Sequence, residues 1–183
     1  MVLWIIVIIA SVLIDQGTKL LISNTYALGE SHELIKGVLN FTYIRNEGAA
    51  WGMLSDNRWV FIVITAIMLV VLPIVLYKYR KLHFLFGFSL SLIIGGAIGN
   101  MIDRVFQGSV VDFIQAAFID FPIFNFADCC VTVGAALMFV YLVFIDKTLF
   151  KSKKGDDKPT KTAAAESTES TEVKNEDNGD TKQ

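Results

Sequence analysis

The sequence predicts an all-α membrane protein: four transmembrane helices carrying a small outward-facing β-cradle and a short interfacial helix. Three observations carry this prediction. Hydrophobic residues make up 54% of the 183 positions and the mean hydropathy is +0.53, too apolar for an ordinary soluble domain of this length. Four apolar stretches each approach the ~20 residues needed to cross a bilayer. The polar residues that interrupt these stretches gather toward one of their ends instead of scattering along them.

The first stretch covers about residues 2–22 and is broken by Asp15 and Lys19. MVLWIIVIIASVLIDQ has no basic start and no small-residue cleavage site after its apolar run, so it reads as a retained helix rather than a removable leader. Next, ELIKGVLNFTYIRN (33–46) is rich in β-branched and aromatic residues, with Gly37 as a turn; this is the pattern of two short strands. The second and third stretches, about residues 59–79 and 82–102, are joined by a very short loop, which favours an antiparallel helical hairpin. VVDFIQAAF (110–118) is expected to form the interfacial helix. The fourth stretch covers about residues 126–150. Pro122 precedes it, and Asn125 and Asp128 suit a helix N-terminus, one as cap and the other as a carboxylate favoured by the helix dipole. Residues 151–183 contain no aromatics and almost nothing apolar, so they cannot offset the entropy of ordering. The reading is a catalytic or binding unit over 1–150 and a disordered cytoplasmic tail over 151–183.

Basic residues flank two helix ends on one side: Lys78, Arg80 and Lys81 in the short loop, and Lys147, Lys151, Lys153 and Lys154 after the fourth stretch. By the positive-inside tendency that side is cytoplasmic. Both termini are then cytoplasmic, and residues 23–58 and 103–125 face outward.

With that orientation, Asp15, Lys19, Asn100, Asp103, Arg104, Asn125 and Asp128 agree in depth, near the outer boundary of the hydrocarbon, and Asp112 lies in the connection between the last two helices. Ionisable groups at such positions are functional candidates. Each also has a plainer reading. Asp15 and Lys19, spaced i, i+4, fit a helix-face pair. Asp103 beside Arg104 fits an ion pair at a helix end. Asn125 and Asp128 fit simple capping. A carboxylate at Asp112, between Val110-Val111 and Phe113-Ile114, is harder to read as a solvated surface acid. Gly95 and Gly99 form a G-x-x-x-G suited to close helix packing.

The formal net charge of −2 and the lack of a basic stripe argue against a nucleic-acid partner. The only two cysteines, Cys129 and Cys130, are adjacent and read as small helix residues. The two histidines, His32 and His83, lie on opposite sides and cannot share a site, and there is no H-E-x-x-H. No metal or other cofactor is therefore expected. A Ser–Lys hydrolase using Lys19 and Ser109 would require a lowered lysine pKa beside Asp15. A proton-coupled transporter would keep its acids near the midplane. A scaffold leaves the convergent carboxylates unexplained. Two aspartates remain as the economical chemistry, one ionised to activate water and one protonated to polarise a carbonyl.

The chain also resembles a known family. DQGTK (15–19), RNEGAAWG (45–52), GGAIGNMIDRVFQGSVVDF (95–113) and FPIFNFAD (121–128) are similar, in order, spacing and helix placement, to the motifs of the bacterial lipoprotein signal peptidases, the type II signal peptidases. The resemblance implies a membrane aspartyl endopeptidase of the bacterial plasma membrane that cleaves diacylglyceryl-prolipoproteins just before the lipid-modified cysteine and is inhibited by globomycin. It implies that Asp112 and Asp128 are the catalytic pair, with Asp15, Lys19, Asn46, Asn100, Asp103, Arg104 and Asn125 in support. Gly48 would leave room for the substrate backbone, and membrane lipid would hold the substrate's acyl chains. Asp103 in place of Asp112 is the alternative partner for Asp128; otherwise its expected task is to orient Arg104.

Overall fold

The computed structural model describes residues 1–48 and 58–146. Four long helices are present: α1 (Val2–Thr25), α2 (Arg58–Lys78), α3 (Phe84–Phe106) and α4 (Phe126–Val140), the last continued by a wider π-helical turn over Tyr141–Ile145. All four are long and apolar enough to cross a membrane, so the chain is a multi-pass membrane protein. The tail and the basic flank that follows Asp146 lie outside the described residues.

α3 is the hub. Just over half of its span, 56%, is buried inside the protein, against 6% for α2, and it packs on each of the other three helices. Small residues permit this. A Cβ on Gly95 would strike the Ser11 side chain, and one on Gly99 would strike the Asp15 carboxylate, so the glycines expected to mark close packing do so. Toward the start of α3, Trp4, Leu76, Phe86, Leu90, Ile94 and Tyr141 form an apolar core. α1 is arranged the other way round from a soluble helix. Ser11, Asp15 and Lys19 are buried, whereas Leu13, Leu20 and Leu21 are exposed and face the lipid.

At the other end of the bundle sits a three-stranded antiparallel sheet of β1 (Ser31–Ile35), β2 (Leu39–Asn46) and β3 (Val110–Ala116), in that order. The hairpin expected over 33–46 is β1–β2, turned by Gly37 at φ 68, a value that favours glycine. The interfacial helix expected over 110–118 is not there: that segment is β3, paired with β2 in the register Ile44↔Asp112 and Asn46↔Val110. A short apolar run fits a helix or a fully buried strand equally well by periodicity. Here the first four residues of β3 are all buried, and the partner strand lies more than sixty residues earlier in the chain, so no local pattern reveals the pairing. Ile22 of α1 packs with Tyr43, Val111 and Phe113, which seats the sheet on the end of the first helix.

Candidate active site

Every residue singled out at the polar ends of the helices comes together between the sheet and the bundle. The deepest layer is an ionic clamp. Lys19 Nζ contacts Asp15 Oδ2 at 2.8 Å and Asp103 Oδ2 at 3.0 Å, and donates to Asn100 Oδ1 at 2.8 Å. All four residues come from α1 or α3, and both carboxylates are fully buried. Each carboxylate also reaches a backbone N–H. Asp15 Oδ1 accepts from Ala127, 112 residues away, at 2.9 Å, and Asp103 Oδ2 accepts from Val111 at 3.1 Å. Those two residues immediately precede Asp128 and Asp112. One lysine therefore ties together the two backbone segments that carry the outer acids.

The outer layer orients the acids themselves. Asn125 caps α4: its side-chain oxygen accepts from the Asp128 N–H at 3.0 Å, and Asp128 Oδ2 accepts the Asn125 N–H at 3.1 Å. Asn125 Nδ2 donates to Asn100 Oδ1 at 3.0 Å and to Asp112 Oδ1 at 2.6 Å. Asn100 Nδ2 donates to Asp128 Oδ1 at 2.8 Å, and Asn46 Nδ2 donates to Asp112 Oδ2 at 2.8 Å. The remaining Asn46 oxygen holds the Gly48 N–H at 3.0 Å. Each asparagine thus has its amide orientation fixed by its partners.

Burial pushes the Asp112 carboxyl up to about 6. Donation from Asn46 opposes this, the nearby Asp128 adds to it, and Asn125 and Lys19 oppose it. Asp112 and Asp128 line a cavity of about 520 Å³ together with Asn46, Gly48 and Arg104. The rest of its wall is residues 121–124 and one face of α4 at Cys129, Thr132 and Val133.

Two sequence expectations change here. Asp103 does not pair with or orient Arg104; it faces Lys19 and the Val111 N–H, because the α3 turn carries the two neighbouring side chains in different directions. Arg104 turns instead to the Gly48 carbonyl at 3.3 Å and lies over the Phe61 ring at 5.2 Å. Cys130 is buried as a small helix residue, but Cys129 belongs to the cavity wall. Ser109, from the set-aside Ser–Lys reading, is not among the contacts of Lys19, which among the described residues go to Asp15, Asp103 and Asn100. Gln16 was not anticipated: its Nε2 reaches Asp15 Oδ2, Asp103 Oδ1 and the Gly99 carbonyl at 3.1–3.2 Å. Its place beside Asp15 was the only available signal. Among the described residues, no three His, Cys, Asp or Glu side chains converge to hold a metal.

The family described as signal peptidase (SPase) II matches residues 7–144. The lipoprotein signal peptidase of Anoxybacillus flavithermus is 47% identical over 132 residues, 71% of this chain and 79% of that protein. Its counterpart in Listeria monocytogenes serotype 4a is 43% identical over 143 residues, 77% of this chain and 92% of that one. A solved structure described as a bacterial membrane enzyme obtained by the in meso method at 2.3 Å resolution superposes with a TM-score of 0.76 at 39% identity, covering 85% of this chain and 95% of that one.

Proposed function

The chain belongs to the signal peptidase II family, and from that premise we propose that it is an aspartyl endopeptidase cutting lipid-modified prolipoproteins just before the diacylglyceryl cysteine. The observation that carries this reading is the pair of carboxylates, Asp112 from β3 and Asp128 from α4, facing one cavity. Asp103 is the weaker candidate for the pair, since it is fully buried against Lys19.

The surroundings distribute the roles. Asp128 accepts two hydrogen bonds and stands in the first turn of α4, where the helix dipole favours negative charge. It serves as the base. Asp112, on a strand where no helix dipole favours its anion and with its carboxyl pushed up to about 6 by burial, serves as the acid. Asp128 takes a proton from water as the water oxygen attacks the scissile carbonyl carbon, and Asp112 gives its proton to the carbonyl oxygen. The resulting gem-diol returns a proton to Asp112 while Asp128 passes its own to the amide nitrogen. The C–N bond breaks, leaving a carboxyl on the signal peptide and an amine on the cysteine.

The acyl chains of the substrate stay in the bilayer, each buried methylene contributing about 0.8 kcal/mol, and bring the peptide to the depth of the pair. The polar end of the bundle faces outward and both termini are cytoplasmic; deleting 155–183, with the basic residues up to Lys154 kept to hold orientation, leaves cleavage within a few fold. Gel-shift cleavage of a purified lipidated prolipoprotein tests the reading. Cleavage should be blocked by globomycin and should fail on unlipidated precursor. Equal cleavage of the unlipidated form would remove the lipid-anchored substrate from the proposal.

A further inference from the structure

Hydrolysis creates a problem that the aspartate pair cannot solve alone. Each turnover leaves a new carboxylate where the scissile carbonyl stood, beside Asp112 and Asp128. Asp112 has its proton back at that point, but the ionised Asp128 and the new carboxylate share one half-buried cavity and repel each other. Lys19 acts on the pair only from a distance, because its contacts among the described residues are Asp15, Asp103 and Asn100 and it does not line the cavity. Among the described residues, the single cationic side chain that does is Arg104.

Arg104 is also held for binding. Its Nη2 donates to the Gly48 carbonyl, and its guanidinium rests over the Phe61 ring. These contacts fix it from the sheet side and from α2, and no carboxylate among the described residues lies within ion-pair distance of it. A guanidinium has five N–H donors in a planar fork that matches a carboxylate, and among the described residues only the Gly48 carbonyl draws on that fork. The neighbour that should have neutralised it, Asp103, is turned to Lys19.

Resting on the peptidase reading above, we propose that Arg104 is the receiving site for the carboxylate that hydrolysis creates at the end of the signal peptide. The other product carries a new ammonium, which the aspartates attract. Arg104 and the pair thus draw the two halves of the broken bond apart, which opposes re-ligation.

The test uses the full chain in detergent micelles and the signal peptide of a precursor that it cuts. The peptide is synthesised with either a free terminal carboxylate or a carboxamide, and both are measured as competitive inhibitors of cleavage and by direct binding. The wild type should bind the carboxylate about tenfold more tightly, as befits a charge-assisted pair. In Arg104→Gln the ratio should fall to one or below, while carboxamide affinity stays within about twofold as a check on folding. Arg104→Lys should keep an intermediate preference. Equal affinities in the wild type, or a carboxylate preference that survives in Arg104→Gln, would overturn the assignment. Failure of the wild type to cut any lipidated precursor would instead overturn the peptidase reading, and direct binding of the two peptide forms would still decide on Arg104.

Discussion

The two ends of α3 are held by opposite chemistry. Near its start, Trp4, Leu76, Phe86, Leu90, Ile94 and Tyr141 meet as an apolar core. Near its exit, Asp15, Lys19, Asp103, Asn100 and Asn125 meet as a buried network of hydrogen bonds and ion pairs. In a bilayer the first kind of contact is not driven by exclusion from water, since lipid tails are as apolar as leucine; it holds through close packing. It has no direction, and a similar shape could replace it. The second kind is directional, and an unmatched group there would stand unpaired away from water. Packing thus carries cohesion at one end, and paired polar groups fix position at the other.

The strongest way to break this contrast is to change the acids that the polar end positions. Asp112→Asn and Asp128→Asn should each lower turnover by at least about 10³-fold, and the double variant should be hardly worse than either single one, because the two act as a unit. Insertion and globomycin binding should survive. Asp103→Asn should retain residual activity; single-turnover cleavage that finds Asp103→Asn dead and Asp112→Asn active would reverse the assignment.

Next comes the clamp. Lys19→Met leaves Asp15 and Asp103 buried without their cation, a loss of about 3–5 kcal/mol for breaking such a pair. Unfolding should shift accordingly, and turnover should fall with it, since the backbones at Val111 and Ala127 lose their common anchor. Leu90→Ala at the apolar end is the control: about 2–3 kcal/mol of stability, with kcat unchanged in whatever protein remains folded. If the two variants lose activity and stability in the same proportion, the division of labour between the ends is wrong.

The finest probe is pH. Asp112 at about 6 keeps its proton above ~3.9, where an aspartate in the unfolded chain loses it. The acid form therefore declines as pH rises through about 6, and kcat/KM of the free enzyme should fall on that side, with an apparent value belonging to the pair. The sign for stability is the same. The folded chain binds this proton more tightly, so the contribution is fully present below ~3.9 and is lost as pH rises through about 6. Asn46 donates to Asp112 and opposes the shift, so Asn46→Ala should move the alkaline limb to higher pH. A limb that stays put or moves down would remove Asp112 as the group it reports.

The helices were legible because apolar length is a local property, and the site residues were legible because charge near lipid is conspicuous. What the sequence hid depends on where side chains point and what distant segments meet. VVDFIQAAF is apolar enough for either a helix or a strand, and only pairing with Leu39–Asn46 makes it a strand. Asp103 and Arg104 are neighbours in sequence with opposite partners in space. Gln16 gave no sign that one amide would touch two buried carboxylates.

The capping of α4 has a consequence for biogenesis. Asp128 is at once the general base of the proposed mechanism and the N3 member of its own helix's capping box, and the preceding N–H is held by Asp15 from the first helix. The last of the four described helices in chain order therefore carries the proposed base, and its first turn is completed by a residue of the first. A nascent chain that stops between β3 and α4 carries Asp112 but not Asp128, and the Asp15 carboxylate still lacks the Ala127 N–H. On the proposed mechanism, cleavage therefore waits until α4 has joined the bundle.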